Sequence, residues 1–196
     1  SVFLPDLSRY FKDNVYSNGE FLIGIPGTVG GAVKMNAGAY DWEFSDLINY
    51  IECFDLNTSS IIKLTKDDIN FSYRSSQNLD NKIILSATLK IEKGNINKIN
   101  SNLANFNNIR KNSQPPAIYN AGSVFKNTKN FTAGKLIDEA GLKGYEIDGV
   151  SVSEKHANFF IAKKDAKSLS LYKLVQYVKE VIDNKFGIKL EEEIIF

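Results

Sequence analysis

The 196-residue chain is long enough for one large or two small domains, and its 43% hydrophobic content supplies apolar surface for a packed core. Its 24 lysines and arginines nearly balance 23 aspartates and glutamates, so the net charge of +1 excludes the basic surface of a nucleic-acid-binding or membrane-surface-binding protein. One cysteine, Cys53, excludes an internal disulfide, and one histidine, His156, excludes a multi-histidine metal site. We expect no metal site and, without a signal peptide or a long apolar run, a cytoplasmic protein.

The first half of the chain reads as one helix followed by β-strands. Helical spacing behind a candidate Asp6 cap predicts a helix whose apolar face carries Leu7, Tyr10, Phe11 and Val15. Alternating apolar residues predict strands at 47–56, 60–65 and 85–91. This half is therefore rich in β-structure.

A domain boundary is predicted near two adjacent prolines. An apolar stripe from Ile96 to Phe106 predicts a helix that stops near Pro115, because proline disfavours helical backbone in the residue before it. We place the boundary between residues 113 and 114, which gives domains of 1–113 and 114–196.

The second half reads as a small α+β unit. Apolar runs predict extended segments at 123–125, 158–161, 188–190 and 194–196. Helical patterns predict a helix over 133–140 with Gly141 as its C-cap, and a longest helix from Leu171 to Ile182 that ends near Gly187. The predicted fold class of the whole chain is α+β.

A glycine-rich run occupies residues 24–40, with the sequence GIPGTVGGAVKMNAGAY, and holds five of the chain's thirteen glycines. Glycine lets backbone N–H groups approach a ligand closely, and phosphate is a common ligand of such segments. The run matches neither GxGxxG nor GxxxxGK[ST], so the two commonest nucleotide-binding motifs are absent. From spacing alone, a glycine-rich bend that packs a strand against a helix is an equally good interpretation.

Further blocks accompany this run, in order along the chain: Tyr73-Arg-Ser-Ser76, Ala121-Gly-Ser-Val-Phe-Lys-Asn127, Gly141-Leu-Lys-Gly144, Val152-Ser-Glu-Lys-His-Ala-Asn-Phe159 and Leu190-Glu-Glu-Glu193. Together the run and the blocks resemble the UDP-N-acetylenolpyruvoylglucosamine reductase family, from about residue 7 to residue 196. An ordered series of blocks is far more specific than one glycine motif.

The resemblance implies a fold and an activity. Residues 1–113 would form the second lobe of a two-lobed FAD-binding (PCMH-type) fold, and 114–196 a smaller α+β substrate-binding domain with a closing strand. The family's enzymes use NADPH and FAD to reduce the enolpyruvyl group of a UDP-sugar, which yields UDP-N-acetylmuramate for peptidoglycan. No nucleic acid, membrane or obligate protein partner is implied.

Three residues are the catalytic candidates that the resemblance implies. The planar fork of Arg74 would hold a carboxylate or enolate oxygen, Ser123 would protonate the carbanion, and Glu193 would assist Arg74 in polarising the substrate. Without the resemblance, Arg74 would be interpreted as a surface arginine and Ser123 as a turn serine. Glu193 would be one of three solvated glutamates at a strand edge.

Binding residues are implied in the same way. Backbone and hydroxyl donors of the glycine-rich run would contact the flavin and its pyrophosphate, with candidates at Ile25, Gly27, Thr28, Gly30, Gly31 and Ala32. Substrate contacts are implied for Lys126, Asn127 and His156, although the first two also suit ordinary exposed positions and a lone histidine is more often a structural hydrogen-bonding residue.

Departures from the family leave alternatives open. Family members carry an N-terminal flavin-binding lobe ahead of the helix that begins here near Leu7, so we expect weak or absent flavin binding by this chain alone. The short stretch between Arg74 and Ser123 resembles the branch without a substrate-covering tyrosine loop. The alternatives are another flavin-dependent oxidase of the same fold and a non-catalytic nucleotide-sugar-binding fragment.

Overall fold

The chain folds into two compact units, Ser1–Arg110 and Lys111–Phe196, each with its own hydrophobic core. The computed structural model describes residues 1–128 and 130–196. Within the described residues, no helix combines the length and the apolar character that crossing a membrane requires.

Short helices surround the core of the first unit. They are α1 (Leu4–Asp13), a 3-10 helix (Glu20–Gly24), α2 (Val29–Met35), α3 (Phe44–Leu47) and α4 (Lys66–Ile69), followed by the longer α5 (Ile96–Ser113). The prediction of Asp6 as the cap of α1 is wrong, because Phe3 is the N-cap residue. Asp6 lies in the first turn, where its negative carboxylate interacts favourably with the positive end of the helix dipole. Helix α5 ends at Ser113, before the prolines, as predicted.

An antiparallel sheet forms the β-structure of the first unit. Its central strand β3 (Ile48–Asp55) pairs with β4 (Ser60–Thr65) on one side and β7 (Lys82–Leu89) on the other. The inward face of β3 carries Ile51 and Cys53, which are fully buried, so the cysteine is a core residue. Two short hairpins complete the unit: β1 (Gly38–Ala39) with β2 (Trp42–Glu43), and β5 (Phe71–Ser72) with β6 (Ser75–Ser76).

The second unit packs two helices and a small sheet around one core. The helices are α6 (Ala133–Glu139) and α7 (Ser168–Phe186), and the antiparallel sheet has the order β10-β9-β8, with β8 at Glu146–Ile147, β9 at Val150–Val152 and β10 at Phe160–Ala162. The buried face of α7 carries Leu174, Val175, Val178 and Ile182, which belong to the predicted apolar stripe. Gly187 caps α7 in the left-handed conformation, with φ 67°.

Some predicted elements of the second unit are different in the structure. Residues 123–125 form isolated bridges, Ser123 to Phe159 and Phe125 to Glu192, where a strand was predicted. The predicted strand at 158–161 begins later, at Phe160, and the C-cap of α6 is Ala140, with Gly141 following it at φ 78°. The extended segments predicted at 188–190 and 194–196 form no strand in the structure, and Glu192, which lies between them, forms an isolated bridge with Phe125.

Candidate active site

The glycine-rich run contains the whole of helix α2 and the turn that precedes it. The Oγ1 of Thr28, the N-cap residue, accepts a hydrogen bond from the Gly31 N–H (3.3 Å), and the Thr28 carbonyl accepts one from the Ala32 N–H (2.9 Å). The Ile25 N–H donates to the Leu22 carbonyl (3.1 Å). Three of the backbone donors that we predicted for flavin contact are therefore engaged within the protein.

The other three candidates are Gly27, which is exposed, and Thr28 and Gly30, which are half-buried. Among the described residues, no protein oxygen accepts from the N–H groups of Gly27, Thr28 or Gly30. Gly27 has φ 137°, which side-chain-bearing residues rarely adopt, and a Cβ at Gly27 or Gly30 would meet no atom within 4 Å. The packing of the described residues therefore does not explain why position 30 is a glycine, whereas close approach of a ligand would. These residues therefore fit the phosphates of a dinucleotide cofactor.

Arg74 lies at the tip of the β5–β6 hairpin. The pair Ser72–Ser75 closes a two-residue turn at Tyr73 and Arg74, and Arg74 adopts a left-handed conformation with φ 51°. Its guanidinium donates to the carbonyl of Gly38 (2.8 Å) and lies over the ring of Tyr73, 4.8 Å from the centroid. The predicted arginine is thus held against the end of the glycine-rich run and is only partly exposed.

Asn36 links these two segments, and the sequence analysis missed it. It is fully buried and ends helix α2 in the left-handed conformation. Its Nδ2 donates to the Ser72 carbonyl (2.9 Å) and to Glu43 Oε2 (2.8 Å), and its Oδ1 accepts from the Ser45 N–H (3.0 Å). An asparagine directly after a short glycine-rich helix is a recognisable signal for a left-handed cap, and could have identified the position.

In the second unit, the segment that carries Ser123 is held by another buried asparagine. Asn158 is 2% exposed. Its carbonyl accepts from the Val124 N–H (2.9 Å), while its side chain accepts from the Phe125 N–H (3.0 Å) and donates to the Phe125 carbonyl (2.8 Å). The side-chain amide thus provides the two hydrogen bonds that a neighbouring strand would otherwise make.

Glu193 adjoins this segment. Its N–H donates to the carbonyl of Val124 (2.8 Å), so the second unit brings Glu193 beside the residue that follows Ser123. The other two glutamates are in ion pairs, Glu191 with Lys126 and Glu192 with Lys179. Burial alone would raise the pKa of Glu192, but hydrogen bonds, chiefly from Lys179, outweigh burial and lower it. Arg74 belongs to the first unit, whereas Ser123 and Glu193 belong to the second.

The three predicted substrate-contacting residues each have a partner within the second unit. Lys126 pairs with Glu191, and the Oδ1 of Asn127 accepts from the Ala133 N–H (3.0 Å) at the start of α6. His156 accepts at Nδ1 from the Asn158 N–H (3.2 Å) and meets the ring of Phe159 edge-on, 4.8 Å between centroids. Burial lowers the pKa of His156, and this favours the neutral ring that such an acceptor needs.

Each unit also contains a cavity. In the second unit, a mostly apolar cavity of about 240 Å³ is lined in part by Val124 and Ile194, the sequence neighbours of Ser123 and Glu193. In the first unit, a cavity of about 560 Å³ is lined in part by Glu20, and none of the predicted site residues lines it. The lining of the second unit's cavity therefore includes sequence neighbours of two predicted catalytic residues, but not Ser123 or Glu193 themselves.

Comparisons with known proteins identify the family. The model of the "UDP-N-acetylenolpyruvoylglucosamine reductase, C-terminal domain" family matches residues 114–196. A reductase of that name from Rickettsia massiliae is 42% identical over 189 residues, which are 96% of this chain and 64% of the relative. One from Caldanaerobacter subterraneus subsp. tengcongensis is 43% identical over 176 residues, 89% of this chain and 58% of the relative. The chain thus spans less than two thirds of the length of these relatives.

A solved structure agrees with the sequence matches. The crystal structure of UDP-N-acetylenolpyruvylglucosamine reductase from Thermus caldophilus superposes with a TM-score of 0.88 at 32% identity, and the match covers 98% of this chain and 68% of that one. The resemblance predicted from the ordered blocks is confirmed, as is the mixed helix and sheet fold that it implied. The chain belongs to the UDP-N-acetylenolpyruvoylglucosamine reductase family.

Proposed function

We propose that this chain supplies flavin-contacting and substrate-reducing residues of a UDP-N-acetylenolpyruvoylglucosamine reductase. The reaction would reduce UDP-N-acetylglucosamine enolpyruvate to UDP-N-acetylmuramate, a peptidoglycan precursor, with FAD and NADPH in the cytoplasm. The observation that carries the proposal is the hydrogen bond from the Glu193 N–H to the Val124 carbonyl. It joins two distant blocks of the sequence and brings the backbone of Glu193 beside the residue that follows Ser123. The neighbouring residues Val124 and Ile194 line a cavity.

The proposed chemistry assigns a separate task to each residue. Bound FAD, once reduced by NADPH, would supply a hydride to one carbon of the enolpyruvyl double bond. The other carbon then gains carbanion character beside the substrate carboxylate and must receive a proton. The Ser123 hydroxyl would donate that proton and later recover one from water, which is feasible because such a carbanion is far more basic than an alkoxide.

Charge stabilisation would come from the other two candidates. The guanidinium of Arg74 is permanently charged, and it would hold the carboxylate or enolate oxygen as negative charge develops. Its bond to the Gly38 carbonyl fixes the fork in advance, which reduces the reorganisation needed during the reaction. Glu193 would assist in polarising the substrate, and Lys126 and Asn127 would contact its diphosphate or carboxylate oxygens.

The glycine-rich run would hold the cofactor. Among the described residues, the N–H groups of Gly27, Thr28 and Gly30 have no protein acceptor, and they would suit pyrophosphate oxygens as neutral donors. The same segment includes Ile25, Gly31 and Ala32, whose N–H groups donate to oxygen atoms within the protein.

The test measures the two half-reactions separately. The chain is assayed alone and as a fusion to the part of the Rickettsia massiliae reductase that has no counterpart in it. We expect the fusion to bind FAD, to be reduced by NADPH, and to be reoxidised by UDP-N-acetylglucosamine enolpyruvate. Ser123→Ala should slow reoxidation by roughly 10²–10⁴-fold, the usual contribution of a general acid, with flavin reduction unchanged.

A matched control and opposing outcomes complete the test. Ser101→Ala, on an exposed position of α5, should leave both half-reactions unchanged. Reoxidation by oxygen alone would indicate a flavin-dependent oxidase. Calorimetric binding of the UDP-sugar by a folded fusion that NADPH cannot reduce would indicate a non-catalytic binding module, and equal loss of both half-reactions in Ser123→Ala would contradict the acid role.

A further inference from the structure

We propose that Asn36 is a positioning residue that sets the orientation of Arg74 by joining the end of helix α2 to the β5–β6 hairpin. This inference rests on the proposed function, in which Arg74 stabilises charge on the substrate. In this proposal Asn36 contacts neither substrate nor cofactor. Its effect reaches the reaction only through the arginine.

The backbone of Asn36 restricts the residue to very few types. It has φ 44° and ψ 55°, a left-handed conformation that glycine and asparagine adopt with little strain. Its side chain is fully buried, so each polar atom of that side chain needs a protein partner.

The hydrogen bonds of the Asn36 side chain further reduce the number of residue types that fit this position. One amide group donates to both the Ser72 carbonyl and Glu43 Oε2 and accepts from the Ser45 N–H. Aspartate could accept from Ser45, but it would place a carboxylate against Glu43 and against a carbonyl oxygen. Glycine could adopt the conformation but would leave these partners without their bonds. Only asparagine satisfies the conformation and all three partners.

These bonds lead directly to Arg74. Ser72 is the residue that enters the turn, and Gly38, which accepts from the Arg74 guanidinium, lies two residues after Asn36. Asn36 therefore fixes the start of the turn relative to the carbonyl that orients the side chain at its tip. A third tie, from Ser76 Oγ to the Lys34 carbonyl (2.6 Å), secures the exit of the hairpin to the same helix.

The first test uses the full chain and measures local order. In Asn36→Gly and Asn36→Asp, amide hydrogen exchange over residues 72–76 should accelerate by about tenfold or more, because the hairpin loses its tie to α2. Asn18→Gly is the matched control: Asn18 also has a left-handed backbone, with φ 71°, and its side chain donates to Glu92, away from this hairpin. Native exchange over 72–76 in both Asn36 variants would overturn the proposal.

The second test is a double-mutant cycle in the fusion described above. Asn36→Gly should slow reoxidation by the enolpyruvyl substrate on the order of 10-fold, with NADPH-dependent flavin reduction within about twofold, as for residues coupled in one network. In an Arg74→Ala background, the same substitution should have no further effect on reoxidation. A full additional loss in that background, or parallel loss of both half-reactions, would show a general structural role and overturn the inference.

Failure of the unsubstituted fusion to reduce the substrate would count against the proposed function, while hydrogen exchange would still decide whether Asn36 positions the hairpin.

Discussion

Asn158 makes hydrogen bonds to both backbone polar groups of Phe125 through its side chain, and both residues are buried. Asn158→Ala removes the two partners together and leaves a buried donor and a buried acceptor unpaired. We expect a loss of about 2–4 kcal/mol in the free energy of unfolding, measured by chemical denaturation. Asn184→Ala, at an exposed position near the end of α7, is the control and should change stability by less than about 0.5 kcal/mol. Equal effects of the two substitutions would contradict this account of Asn158.

His156 gives the second unit a dependence on pH. Burial, with a smaller contribution from the positive charge of Lys143, lowers its pKa below the ordinary value. The unfolded chain therefore binds a proton at a higher pH than the folded chain does. The contribution of the neutral His156 to the free energy of unfolding is therefore fully present above about pH 6.5, the unperturbed pKa. It is lost as the pH falls through the lower pKa of the folded state.

A substitution tests this dependence. Glutamine at position 156 cannot titrate but can still accept a hydrogen bond from Asn158. Denaturation of the original chain should become easier as the pH falls below about 6.5, and the curve for His156→Gln should be flatter in that range. Parallel curves for the two proteins would exclude His156 as the titrating group.

At the scale of elements, helix α2 contains Gly30, a residue with low helix propensity, at a position with open space beside it. Alanine favours a helix by roughly 1 kcal/mol over glycine, and a Cβ at Gly30 would meet no atom within 4 Å. Gly30→Ala should therefore leave the chain as stable or raise its free energy of unfolding by up to about 1 kcal/mol. It should also weaken FAD binding by the fusion, because the new methyl group occupies the space of the ligand. Flavin titration combined with thermal unfolding measures both effects, and undiminished FAD affinity would argue against a pyrophosphate site here.

The elements differ in how far the sequence predicts them. Helices α5 and α7 carry apolar stripes over several turns, and their predicted ends at the prolines and at Gly187 agree with the structure. Residues 123–125 look like a strand because they are apolar, yet their partners are the distant Phe159, Glu192 and the side chain of Asn158. The hairpins around Arg74 and Tyr40 have strands of two residues, too short for any period to be detected.

At the scale of the whole molecule, the candidate site residues come from the family resemblance and not from physical reasoning about single positions. In the second unit, Glu193 adjoins Val124, the residue after Ser123, because a hydrogen bond joins two blocks far apart in the sequence. Local patterns contain no information on such a contact. Conversely, the structural partners of Asn127 and His156 are local and agree with the plain alternatives weighed for them. Their contact with substrate stays a prediction.

The two buried asparagines give this protein a chemical vulnerability to heat. Asparagine is among the thermolabile residues, since its amide can hydrolyse to a carboxylate. At Asn36 or Asn158 this change of one group would turn a hydrogen-bond donor into an acceptor that faces a backbone carbonyl. The chain would stay intact and nearly unchanged in mass, but one segment of the candidate site would lose its support. Hydrolysis at either position would therefore weaken the local fold without breaking the chain.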